Sequence, residues 1–196
     1  ENLDELNYLA SKLDEMSQGE YEQFQAAMEI GDHSGSLLFR SLIKGKESKV
    51  RDVDLNSFVP TVIDTYKELG GKYEIKFVTS AATPTTVQID PTQFEIVLLN
   101  LLNNASEAIT QQETKPVITV GISCENGEAA VSVRNEGFLE HKEAFDNLFA
   151  VKSSTKANGL GLGLAIAARV IERWGGQLSI HQHNKEVIAC ILLPSQ

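Results

Sequence analysis

Positive charge is scarce in this chain of 196 residues: 17 lysines and arginines stand against 27 aspartates and glutamates, a formal net charge of -10 at pH 7. With no excess of cations to displace the counterions of a phosphate backbone, a nucleic-acid-binding surface is excluded. Cysteine is equally sparse. Cys124 and Cys190 are the two in the chain, both in apolar alternating segments. That reads as two core residues rather than a disulfide, and as a reducing, cytoplasmic compartment. No apolar run approaches the ~20 residues that a membrane-spanning helix needs. An initiating methionine and a signal-like segment are also missing, so the sequence reads as a piece of a longer protein. Any membrane tether would belong to the rest of that protein. What is present is 42% apolar, enough for one domain of ordinary size and an appendage.

The stretch around which the rest is organised is Gly159-Leu160-Gly161-Leu162-Gly163-Leu164, running directly into Ala165-Ile166-Ala167-Ala168-Arg169-Val170-Ile171. Glycine at every second position fits neither helix nor strand interior, because each one costs conformational entropy there. Leu164, Ala167, Ala168 and Ile171 recur at helical spacing. A glycine-rich turn therefore feeds a helix N-terminus, where free backbone N–H groups and the helix dipole favour an anion. Lys152 and Lys156 lie just upstream, where mobile ammonium groups could close on the same anion. On the glycines alone, a plain flexible linker explains the run equally well.

In chain order, residues 1–50 read as a helical hairpin. Leu6, Leu9, Ala10, Leu13 and Met16 form a clean stripe, Gly19 suits a cap, and a second helix runs from about residue 21 to 42. Two helices bury too little between them to stand alone, so a four-helix bundle made by two chains is expected, with docking on the chain's own domain as the alternative. A charged, glycine-containing stretch, residues 44–51, separates this from a second domain, residues 51–196. Asp54 caps a helix with Phe58, Val59, Val62, Ile63 and Tyr66 as its buried stripe. Gly70-Gly71 ends it, and residues 73–79 alternate as a strand. Residues 87–89 add a short strand.

Asp90-Pro91 then starts a long helix over residues 91–110, with Asp90 as N-cap and Pro91 in the first turn. Its core face is Phe94, Leu98, Leu101, Leu102, Ala105 and Ile109. Asn100, Asn104 and Glu107, spaced by four and three residues, project from another face. Asparagine is a weak helix former, so two stacked on one face ask for a reason. Neutral amide oxygens suit a hard cation shared with phosphates, and a merely solvated polar face is the alternative. From Pro116 onward strands alternate, turned at Asn126-Gly127. Residues 139–158 form a loop in which Phe145 and Phe149 suit one face of a short helix. The helix after the glycine turn ends at Trp174, and strands over 177–182 and 187–193 close the chain. The expected fold is α+β, a two-layer sandwich in which a mixed sheet is covered on one face by three helices.

Taken together, these segments resemble the catalytic, ATP-binding domain of sensor histidine kinases, within the GHKL ATPase superfamily. Residues 97–109, VLLNLLNNASEAI, resemble the N-box, and residues 131–138, VSVRNEGF, a degenerate G1 box. Residues 145–149 resemble the F-box, and Ser154-Thr155-Lys156 with residues 159–164 the G2 box. The likeness runs over roughly residues 53–194, and the order of the boxes is far more specific than any one of them. It implies ATP and Mg²⁺ as ligands. Asn104 then matches the magnesium-binding asparagine, and Asn100 a catalytic position facing the phosphates. Asn135 and Gly137 match the adenine side. Gly159, Leu160, Gly161, Leu162, Gly163 and Leu164 match the phosphate cradle, and Lys156 the basic residue of the lid, as a catalytic group, while Lys152 is expected to close on the same ligand.

Hydrolysing relatives carry a glutamate base at position 100. An asparagine cannot activate water, which suits transfer to a protein side chain. The G1 box normally offers an aspartate where Asn135 stands, and its second glycine is replaced near Leu139. The opening helices resemble the distal part of a dimerisation and phosphoacceptor hairpin, which implies a homodimer and a response-regulator receiver domain as partners. No histidine here precedes an acidic residue: His33, His141, His181 and His183 are followed by Ser, Lys, Gln and Asn. The acceptor is therefore expected upstream of Glu1. Two functions follow, a histidine kinase core that transfers the γ-phosphoryl group of ATP, or a pseudokinase scaffold that docks a regulator without using ATP.

Overall fold

The computed structural model describes residues 49–80, 85–109, 116–137 and 163–196. The hairpin expected over residues 1–50 therefore lies outside the described residues, apart from its last two positions. The described chain begins with strand β1 (Arg51–Asp54) and helix α1 (Leu55–Glu68), followed by strands β2 (Glu74–Thr79) and β3 (Thr86–Ile89). Helix α2 (Pro91–Ala108) leads to strands β4 (Val117–Glu125) and β5 (Glu128–Glu136). Helix α3 (Gly163–Arg173) and strands β6 (Gln177–His183) and β7 (Glu186–Pro194) complete it.

Local chemistry sets the ends of these elements. Asp54 caps α1 by accepting from the Asn56 N–H, and Asp90 caps α2 by accepting from Thr92 and Gln93. Each carboxylate thus satisfies donors that the first helical turn leaves unpaired. Between β4 and β5, Asn126 and Gly127 take φ angles of 53° and 79°, the left-handed pair that matches the twist of a two-residue hairpin.

Five strands form one sheet in the order β2-β4-β5-β7-β6. Its pairings are antiparallel except β2 with β4, which run parallel from Glu74 opposite Val117 to Thr79 opposite Ile122. Strands β1 and β3 pair separately, Arg51 opposite Ile89 through Asp54 opposite Thr86. The small sheet is fastened to the large one at the C-terminus. Val87 bridges Ser195, the Gln196 N–H donates to the Thr86 carbonyl at 3.0 Å, and Ser195 N–H to the Gly127 carbonyl at 2.9 Å.

Alternate residues of the sheet (Ile118, Val120, Ile122, Ala129, Val131, Val133, Leu178, Ile191 and Leu193) turn into the core. There they meet the apolar faces of all three helices. α2 is the central helix and packs against both α1 and α3. Phe94, fully buried on α2, lies 6.0 Å from the Phe58 ring of α1 and 6.2 Å from Trp174, just beyond α3. The two-layer α+β sandwich expected from the sequence is the fold observed.

Two expectations need correction. Cys124 is exposed rather than part of the core, because it falls near the end of β4, next to the turn. Cys190 is half-buried and also a free thiol, and its burial raises the thiol pKa. Residues 51–54, expected to be boundary and cap only, form a strand. Their charged sequence carries no apolar alternation, and they become a strand by pairing with β3.

Candidate functional site

Along α2 the apolar ridge is Phe94, Val97, Leu98, Leu101, Leu102 and Ala105, all buried. Asn100 sits among them, only 1% exposed, and its Nδ2 is a buried donor with no hydrogen-bond partner. Such a group costs about 1–3 kcal/mol unless something satisfies it. Asn104, one turn on and about 6 Å along the axis, is half-buried. Glu107 is exposed, and with Asn103, Ile96 and Leu99 it lines a cavity of about 370 Å³ shared with Tyr66 and Leu69 of the α1 end. Asn100, Asn104 and Glu107 follow one another at spacings of four and three along this one continuous helix, and their burial falls along it, from Asn100 within the packed layer to Glu107 at the surface.

The second part of the site is the end of β5. Val131, Val133 and Asn135 alternate inward, so Asn135 is a polar side chain delivered to the core side of the sheet, 3% exposed. Its Nδ2 donates to the Glu136 carbonyl at 3.1 Å. Two residues on, the Gly137 N–H donates to the Lys185 carbonyl at 2.8 Å, which ties this strand end to the turn between β6 and β7. A Cβ added at Gly137 would come within 2.8 Å of the Ala108 carbonyl oxygen and 3.1 Å of Asn135 Nδ2. Glycine is therefore what lets the β5 end approach the C-terminal turn of α2. Since Asn104 lies one turn before Ala108, two separately singled-out segments, residues 100–108 and 135–137, converge in space. The sequence missed this contact, because backbone approach leaves no signal except the glycine itself.

The third part is the start of α3. Gly163 is its first residue, and Leu164 is half-buried against the core. Lys152, Lys156, Gly159, Leu160, Gly161 and Leu162, together with Phe145, Phe149 and Leu139, lie outside the described residues. His181 and His183 are exposed on β6, where His181 Nε2 and Ser179 Oγ are 3.0 Å apart. Among the described residues no group of three or more His, Cys, Asp or Glu side chains is placed to hold a metal ion.

A half-buried helix with two asparagines, closed against a glycine-tipped strand in a two-layer sandwich, has known counterparts. Residues 89–196, more than half of the chain, match the histidine kinase-, DNA gyrase B-, and HSP90-like ATPases. The chain belongs to that family. Within it the likeness is to sensor histidine kinases. The chain is 34% identical over 140 residues to the sensor histidine kinase ZraS of Klebsiella oxytoca, covering 70% of this chain and 29% of that protein. To ZraS of Escherichia coli K12 it is 31% identical over 155 residues, covering 78% and 33%. The chain thus spans about a third of the length of these curated relatives. Among solved structures, the nucleotide-free catalytic domain of the histidine kinase ThkA superposes with a TM-score of 0.65 and 26% identity, over 74% of this chain and 95% of that one. This is a histidine-kinase-type ATPase domain of the two-component sensor class.

Proposed function

We propose that this domain binds ATP with Mg²⁺ against the Asn100–Asn104 face of α2 and presents the γ-phosphoryl group to a histidine. The observation that carries the reading is the buried amide of Asn100, whose Nδ2 has no partner. A buried donor left unpaired asks for a partner, and phosphate oxygens are acceptors it can meet. Asn104, half-buried one turn on, would offer its amide oxygen to the ion. When bound, the ion supplies charge neutralisation to the phosphates. Asn135 would accept from the adenine amino group, and Gly137 keeps that strand end close to α2. Residues 159–164 would cradle the phosphates through backbone N–H groups, with Lys152 and Lys156 closing over them.

With little covalent chemistry to perform, the protein's contribution is positioning and charge stabilisation. A ring nitrogen of the acceptor histidine bonds to the γ-phosphorus as the bond to the ADP oxygen breaks. Asn100 supplies no base for water, so transfer prevails over hydrolysis. The acceptor histidine, a homodimer formed through residues 1–50 and a response-regulator receiver domain complete the proposed system.

One pair of measurements tests the site. Calorimetric titration of Mg²⁺–ATP on the wild type should saturate, and Asn104→Ala should weaken it at least tenfold, about 1.4 kcal/mol. Asn100→Leu should abolish binding and yet leave urea stability equal or higher, because it removes an unsatisfied buried amide. An Asn100→Leu protein that binds ATP normally would sink the reading.

A further inference from the structure

Asp90 is 8% exposed, and both its carboxylate oxygens are engaged. Oδ1 accepts from the Thr92 N–H at 2.9 Å and the Gln93 N–H at 3.3 Å, capping α2. Oδ2 accepts from the backbone N–H of Lys49 at 2.8 Å, 41 residues away in sequence. The adjacent pair reinforces the link, since Arg51 and Ile89 are partners in the β1–β3 ladder. Capping alone needs one oxygen, and Ser, Asn or Asp serve about equally well. The second oxygen is spent on the strand that leads into the domain.

We infer that Asp90 is a positioning residue that couples the segment arriving at Lys49 to the helix bearing Asn100 and Asn104. The inference rests on the nucleotide reading of that helix. Asn100 lies ten residues beyond Asp90, about 15 Å along the axis. A helix packed on both sides and on the sheet behind it shifts as a unit rather than bending freely. A pull on Lys49 therefore reaches the asparagines through the cap, and ligand binding at the asparagines reaches Lys49 by the same path. Coupling of this kind is reciprocal by linkage. The role needs a two-oxygen acceptor at position 90, and it predicts that residues which cap equally well will not substitute.

The test is hydrogen exchange at the amides of Lys49 to Val53, with and without a saturating non-hydrolysable ATP analogue and Mg²⁺. In the wild type the nucleotide should slow exchange there by about tenfold, within the usual range of coupling between sites. Asp90→Ser keeps one capping oxygen and cannot reach Lys49. Asp90→Asn keeps the capping oxygen and turns an amide N–H toward the Lys49 N–H. Both should stay folded, bind the nucleotide, and lose the response at Lys49. If capping were the whole role, Asp90→Ser would respond like the wild type, and that result would overturn the inference. So would a wild type that binds nucleotide with no change at these amides. A wild type that binds no nucleotide overturns the functional reading itself, and is recognised in the calorimeter before any exchange is measured.

Discussion

Asn135 shows how much chemistry one atom can change. An aspartate at this position would be an acceptor on both oxygens, whereas an asparagine presents one acceptor and one donor. In this chain the donor end is already used, with Nδ2 bonded to the Glu136 carbonyl at 3.1 Å. Turning the amide over would set two oxygens against each other, so Oδ1 is the end left for a ligand. The preference should therefore be for a base with an exocyclic amine. We expect ATP to bind about tenfold more tightly than inosine triphosphate, whose 6-oxo group offers no donor, a difference of about 1.4 kcal/mol. Competition titration checks this, and Asn135→Leu should bring the two nucleotides to equal affinity. The residue type was readable from the sequence, while the orientation of its amide depends on a backbone carbonyl that only the folded strand brings into reach.

Among the elements, α2 was the most legible. Asp90-Pro91 announced its start, and its apolar ridge was read nearly residue for residue. The burial of Asn100 was not legible, for a physical reason. A helix flanked on both sides by other helices buries a wider arc than the single stripe a periodicity argument assigns. Strand β1 was missed because Arg51-Asp52-Val53-Asp54 has no alternation, and its strand character comes from β3. The apposition of β5 and α2 hangs on Gly137. Gly137→Ala would force the strand end and the Ala108 carbonyl apart, and should cost about 1–3 kcal/mol of stability, read from urea unfolding. Nucleotide affinity should fall with it, since the same displacement separates Asn135 from Asn104.

At the level of the whole molecule, the last two residues hold two sheets together. Ser195 and Gln196 contribute the bridge to Val87 and backbone bonds to Gly127 and Thr86. Removing them should lower the thermal midpoint by roughly 2–4 °C, corresponding to about 1 kcal/mol in a domain of this size. Exchange protection should be lost first in β1 and β3. Among the described residues no helix is long and apolar enough to cross a membrane. The layer order was readable because helices and strands alternate in the sequence with distinct periods. The C-terminal fastening was not, since Ser-Gln has no pattern of its own.

The mixed pairing of the sheet has a consequence for the order of events during folding. β4–β5 and β6–β7 are hairpins closed by short turns, at Asn126-Gly127 and at Asn184. Such local pairs form with little loss of chain freedom. The parallel pair β2–β4 cannot form that way, because β3 and all of α2 lie between its strands. Its closure waits until α2 has folded back onto the hairpins. The helix carrying the two asparagines is thus a prerequisite for completing the sheet, and β2, at one of its edges, can be gained only once that helix is in place.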